Sequence, residues 1–215
     1  FMSTESFVYR DLLRDVEEKH IGSFAIQTQG SPLGIERSQV YPTAALVNTL
    51  QSHAKVPLLI AADFERGTSM RIEEGTSFPY AMAVAATGRP EDAYTMGKIT
   101  AIEAKAVGVP WIFAPDADVN NNPNNPIINT RSFGEDPERV SEFVAAFVRG
   151  VEENGGLATA KHFPGHGDTS TDSHLDLPTV TSDRARLERV ELAPFRAAIA
   201  AGASRAGLIA ISKKS

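Results

Sequence analysis

Three of the five histidines fall in one short stretch, Lys161-His162-Phe163-Pro164-Gly165-His166-Gly167-Asp168-Thr169-Ser170-Thr171-Asp172-Ser173-His174. Imidazoles, carboxylates and a lysine at such density can do three kinds of chemistry. Asp172-Ser173-His174 sets a carboxylate beside an imidazole, which fixes the tautomer and raises basicity, as a group that donates and recovers a proton near neutral pH requires. The same pair could instead satisfy a buried polar group. His162, His166, Asp168, Asp172 and His174 also offer nitrogen and oxygen ligands to a metal, but Pro164-Gly165 interrupts the helix that would put His162 and His166 on one face. No metal or other cofactor is expected. Lys161 and His162, beside a Pro-Gly turn, read as ligand contacts rather than solvated side chains. His20 and His53 sit at the polar ends of helical patterns and read as surface or capping residues.

The elements that must position these groups follow from periodicity. Apolar runs at Ser23 to Gln27, Pro57 to Asp63, Trp111 to Asp116, Leu157 to Phe163 and Ala206 to Ile211 lack alternation, as strands buried on both faces do. Amphipathic stretches at about 5 to 19, 42 to 54, 90 to 107, 137 to 154 and 183 to 202 alternate with them and read as helices. Asp136-Pro137-Glu138 has the form of an N-cap followed by proline, Asn154-Gly155-Gly156 that of a C-terminal stop, and Ser182-Asp183 offers a further cap. The repeated βα pattern predicts a parallel sheet with no linker dividing residues 1–215. Polar residues recur just after the strands: Asp63 and Glu65, Asp116 and Asp118, Lys161 and His162. In a barrel or an open sheet these positions meet at the C-terminal edge, where ligands bind. The asparagine-rich segment from Asn120 to Asn129 reads as a turn-rich surface excursion that could wall the pocket or simply be solvated. Arg131 could serve a ligand or pair with Glu135 or Asp136.

Composition narrows the partner. The formal net charge is −6, with no clustered basic face, which argues against nucleic acid and anionic membranes. There are no cysteines, so disulfides and thiolate metal sites are ruled out; a cytoplasmic protein is expected, since this fits a reducing compartment, with export after removal of a signal peptide as the alternative. No apolar stretch is long enough to span a membrane, and the start lacks the features of a signal peptide. Neither common glycine-rich phosphate cradle follows a strand. A small-molecule partner is expected.

Four ordered motifs resemble glycoside hydrolase family 3, in its β-N-acetylglucosaminidase branch. They are Ala62-Asp63-Phe64-Glu65-Arg66-Gly67 with Arg71, Ala114-Pro115-Asp116-Ala117-Asp118-Val119, Arg131-Ser132-Phe133-Gly134-Glu135-Asp136-Pro137, and the Lys161 to His174 stretch. The resemblance implies an α/β fold of the (β/α)8 TIM-barrel type, of which about five βα units would be present. It implies that Asp63, Arg71, Arg131, Lys161 and His162 hold the sugar, and that His174 is the general acid/base with Asp172 as its partner. It also implies a retaining mechanism, in which an aspartate attacks the anomeric carbon while the acid/base serves the leaving oxygen and then water. Where the family commonly has Asp-Gln-Glu-Gly-Gly, this chain has Asp63-Phe64-Glu65-Arg66-Gly67. The nucleophile belongs to a Ser/Thr-Asp step after a later strand, a context that none of Asp168, Asp172 and Asp183 matches. The expectation is therefore the N-terminal part of a catalytic barrel, inactive on its own and associating with itself or with the remainder. Alternatives are a family 3 phosphorylase, a β-glucosidase, and an inactive sugar-binding or folding fragment.

Overall fold

Four of the apolar runs become strands that pair in parallel: β1 (Ser23–Ile26), β2 (Leu59–Ala62), β3 (Trp111–Ile112) and β4 (Leu157–Ala158). The computed structural model describes residues 7–26, 38–169 and 183–203. Before, between and after the strands run α1 (Phe7–Glu17), α2 (Val40–His53), α3 (Ala81–Ala85), α4 (Pro90–Ala106), α5 (Pro137–Glu152), α6 (Arg184–Arg189) and α7 (Ala193–Ala200). The spatial order β1-β2-β3-β4 repeats the chain order. A doubly wound sheet would reverse direction part-way; a succession without reversal is that of a barrel wall. The fold is thus of TIM-barrel type, with part of the barrel described. The fifth strand expected at Ala206 to Ile211 lies outside the described residues.

The strands are shorter than the apolar runs that announce them. Beyond Ile112 the ladder gives way because Pro115 has no N–H to donate and the chain bends: Thr159 N donates to both Ile112 O and Ala114 O, each at 3.0 Å. Burial nevertheless continues past the ladder, since Ala114, Ala158, Thr159 and Ala160 are all buried. An isolated bridge between Asp116 and Lys161 carries the β3–β4 pairing up to the polar residues. β1 departs from the expectation of burial on both faces: its residues alternate exposed and half-buried. Among the described residues its one strand neighbour is β2.

Local signals set the helix ends. Asp136 caps α5 by accepting from Arg139 N at 2.8 Å, and Asp183 caps α6 by accepting from Arg186 N at 2.8 Å. The stretch expected as one helix over 183–202 is two, because Pro194 cannot donate within a helix but suits the first turn of a new one, so α7 restarts there. α4 and α5 pack at unusually close range through Gly97 and Gly150. A Cβ on Gly97 would lie 2.3 Å from Phe147 O, and one on Gly150 would lie 2.1 Å from Tyr94 O. Val140, Phe143, Val144, Phe147 and Val151 of α5 form the buried face that joins this pair to the sheet. No helix among the described residues is long and apolar enough to cross a membrane.

Candidate active site

Within a few residues of their ends, β2, β3 and β4 each lead into charged side chains, and parallel strands end on the same edge. Asp63 follows β2, Asp116 and Asp118 follow the end of β3, and Lys161 and His162 follow β4. Lys161 is the hub. It is 3% exposed, and its Nζ lies 2.7 Å from Asp63 Oδ1 and 2.7 Å from Glu65 Oε1. Arg71 reaches the other oxygen of Asp63, Nη2 to Oδ2, at 3.1 Å. Arg131 makes a two-pronged contact with Glu65, Nε to Oε2 at 2.9 Å and Nη2 to Oε1 at 2.8 Å. The expected alternatives for Arg131, Glu135 and Asp136, do not pair with it; Asp136 is occupied as the α5 cap.

His162 is held on two sides. Its Nδ1 lies 2.8 Å from Asp118 Oδ2 and its Nε2 lies 3.3 Å from Arg131 Nη2. The network assigns the neutral ring its hydrogen on Nδ1, donated to Asp118, with Nε2 accepting from the guanidinium. Asp118 also accepts from the backbone N–H of His162 at 3.2 Å and of His166 at 2.7 Å, so this buried carboxylate fixes the base of the histidine loop. Gly167 lets that loop press against the strand end: a Cβ there would lie 1.8 Å from Val119 O. His166 is fully buried and its Nδ1 bonds Thr169 Oγ1.

Electrostatics follow from four carboxylates facing three fixed cations. Burial pushes Asp63 upward, but the charge and hydrogen bond of Lys161 outweigh it and hold the carboxyl below its ordinary range. Glu65, likewise opposed by burial, is lowered to about 2 by Lys161 and Arg131. Asp116 goes the other way: full burial and then the negative charge of Glu65 raise it to about 7. Arg131 Nε stands 2.9 Å from Asp116 Oδ2, yet its N–H points to Glu65, and neither Asp116 oxygen accepts a directed hydrogen bond among the described residues. His162 is raised, because the Asp118 carboxylate overcomes the effect of burial, and His166 is lowered by burial.

The metal reading of the histidine stretch changes in detail. Asp168 pairs with Arg186, Nη2 to Oδ2 at 2.8 Å. Among the described residues the grouping close enough to share an ion is instead Asp116, Asp118 and His162, with candidate atoms within 4.8 Å of one another. Asp118 already accepts three N–H groups there, and Arg131 and Lys161 supply the compensating charge, so the donor set suits its present ion pairs better than a cation.

Asp63, Arg71, Arg131, Lys161 and His162 are therefore brought together, while Asp172 and His174 lie outside the described residues. Glu65, Asp116 and Asp118, which the sequence places just after strands but which the resemblance does not assign to the sugar, join the group around Lys161. The asparagine-rich segment, expected as a turn-rich surface excursion that either walls the pocket or is solvated, is tied to the histidine loop. Asn125 is in fact buried at 3% exposure, donating to His166 O at 2.6 Å and Gly167 O at 3.2 Å while accepting from Ile127 N and Ile128 N.

Residues 8–209 match the model of the glycosyl hydrolase family 3 N-terminal domain. The chain belongs to glycosyl hydrolase family 3. This family 3 chain is 45% identical over 161 residues to β-hexosaminidase A of Pseudoalteromonas piscicida, an overlap of 70% of this chain and 27% of that protein. It superposes with a TM-score of 0.82 on a glycoside hydrolase family 3 β-N-acetylglucosaminidase from Paenibacillus sp. str. FPU-7, at 43% identity, covering 89% of this chain and 36% of that one. It is also similar to the β-glucoside phosphorylase BglX, with a TM-score of 0.78 and 32% identity over 92% of this chain and 38% of that one. The family 3 chain thus spans less than two-fifths of the length of each of these relatives.

Proposed function

We propose that this protein acts as a glycoside hydrolase that removes terminal β-linked N-acetylglucosamine, with the described residues forming its sugar-recognition half. One observation carries the reading. Asp63 is an ionised carboxylate flanked by Lys161 and Arg71, and Arg71 Nε is a buried donor with no acceptor among the described residues. A carboxylate between cations accepts the hydroxyls of a pyranose, and an unspent N–H beside it donates to one of their oxygens. His162 and Lys161 extend the polar wall, while Arg131 backs His162 and orders Glu65.

In this reading, Asp172 and His174 handle the proton: the imidazole protonates the departing glycosidic oxygen and later takes a proton from water. The imidazole is cationic as the acid and neutral as the base, so it adds no further negative charge beside an attacking aspartate, which by the family resemblance follows a later strand. The names borne by the relatives support the N-acetylglucosaminidase assignment. Likeness to a phosphorylase keeps a second reading, in which phosphate replaces water as acceptor.

Binding and turnover test different parts. Calorimetric titration of the protein with N-acetylglucosamine and with glucose should show preference for the former, and Asp63→Ala should abolish the heat. No binding of either sugar, or unchanged binding in Asp63→Ala, would remove the reading. Product analysis of N-acetyl-β-D-glucosaminide cleavage with and without phosphate separates hydrolysis from phosphorolysis.

A further inference from the structure

Arg71 stands on a loop with a narrow neck. A Cβ on Gly67 would lie 2.2 Å from Thr76 O and one on Gly75 would lie 2.3 Å from Thr68 Oγ1, so the two sides of the loop touch. Ser69 N donates across the neck to Thr76 O at 3.3 Å. A single carboxylate spans it from outside: Glu103 of α4 accepts from Thr68 Oγ1, from Thr76 Oγ1 and, at 3.0 Å, from Thr76 N. Thr68 is 1% exposed, and these donors hold Glu103 below the ordinary carboxylate range although burial pushes it upward. Three residues beyond Thr68, Arg71 closes a 3₁₀ turn with its N–H on Thr68 O at 3.0 Å, and its side chain runs to Asp63. The far side of the loop is fastened by the backbone of Ser38, which donates to Arg71 O and accepts from Glu73 N, each at 2.8 Å.

The helix that carries Glu103 is a firm anchor, because α4 is locked against α5 at Gly97 and Gly150. We propose that Glu103 is a positioning residue: by tying the neck of the 67–76 loop to α4, it sets where Arg71 stands against Asp63 and hence how tightly the sugar is held. Glu103 does not meet the ions of the pocket; its partners are Thr68 and Thr76. A flexible arginine gains most from a fixed base, since a misplacement of about 1 Å is enough to spoil a directed contact. This inference rests on the reading that Asp63 and Arg71 hold the sugar.

The test is a double-mutant cycle on the 215-residue chain, titrated with N-acetylglucosamine. Glu103→Ala should weaken binding about tenfold, and Glu103→Gln, which keeps one carbonyl acceptor, should restore most of the loss. In an Arg71→Ala background, Glu103→Ala should cost nothing further. Equal losses in both backgrounds would overturn the proposal, because Glu103 would then be acting on the fold at large. Amide hydrogen exchange supplies a readout that needs no ligand: Glu103→Ala should speed exchange within 67–76 and leave α5 unchanged. If the parent chain binds no N-acetylglucosamine, the sugar reading fails while exchange still decides the role of Glu103, and unchanged exchange in the loop would overturn it.

Discussion

Lys161 Nζ lies 2.7 Å from Asp63 Oδ1, joining residues 98 apart in sequence at the ends of β2 and β4. The lysine is buried and its second carboxylate, Glu65, is equally close. Desolvation makes an ammonium in such a place costly unless paired, and removing it leaves Asp63 with Arg71 alone and Glu65 with Arg131 alone in a site stripped of water. Lys161→Ala should therefore lose about 3 kcal/mol of stability, measured by urea unfolding, and should weaken N-acetylglucosamine binding as well. A loss under about 1 kcal/mol would mean that the pair is as weak as a surface salt bridge.

Asp116 gives stability a distinctive pH dependence. Its folded value of about 7 stands above its ordinary 3.8, so between those limits the folded state holds a proton that the unfolded chain releases. Stability should fall as pH rises across that window, by an amount on the order of a few kcal/mol, and level off above it. Asp116→Asn has no such proton, so its stability relative to the parent should improve from pH 4 to 7. Glu65, lowered to about 2 from 4.5, works in a separate window: its contribution is present above pH 4.5 and lost as pH falls toward 2. Parallel stability profiles for the parent and Asp116→Asn would contradict the assignment.

Gly97 and Gly150 invert the usual rule for helices. Alanine is the better helix former by about 1 kcal/mol, but its methyl would enter the backbone of the facing helix. Overpacking of this kind costs about 1–3 kcal/mol, so Gly97→Ala and Gly150→Ala should each lower the melting temperature by several degrees. A rise in either melt would show that α4 and α5 separate easily, and would weaken the case for α4 as an anchor.

Gly167→Ala acts on the pocket itself. Its Cβ would lie 1.8 Å from Val119 O, forcing the histidine loop away from the strand end and from Asp118, which holds the N–H groups of His162 and His166. Affinity for N-acetylglucosamine should drop at least tenfold, beyond what the accompanying loss in thermal stability explains at the assay temperature. Affinity equal to the parent's would show that His162 keeps its place without the loop's close approach.

Much of this molecule was written locally. The alternation of apolar runs and amphipathic stretches set the βα succession, the Asp136-Pro137 and Asp183 signals set where two helices start, and the clustering of polar residues just after strands marked the edge at which they meet. These features depend on periodicity of two and 3.6 residues and on single-residue dihedral preferences, which neighbours in sequence decide. Tertiary structure decided what each polar group faces. Nothing near Arg131 in the chain names Glu65 as its partner in place of Glu135 or Asp136, nothing in an asparagine-rich segment distinguishes the buried Asn125 from its half-buried and exposed neighbours, and nothing near Glu103 points to Thr68 and Thr76. Those pairings are set by strands and helices brought together from distant parts of the chain, where burial strips water from a charge and leaves it only the partners that packing supplies.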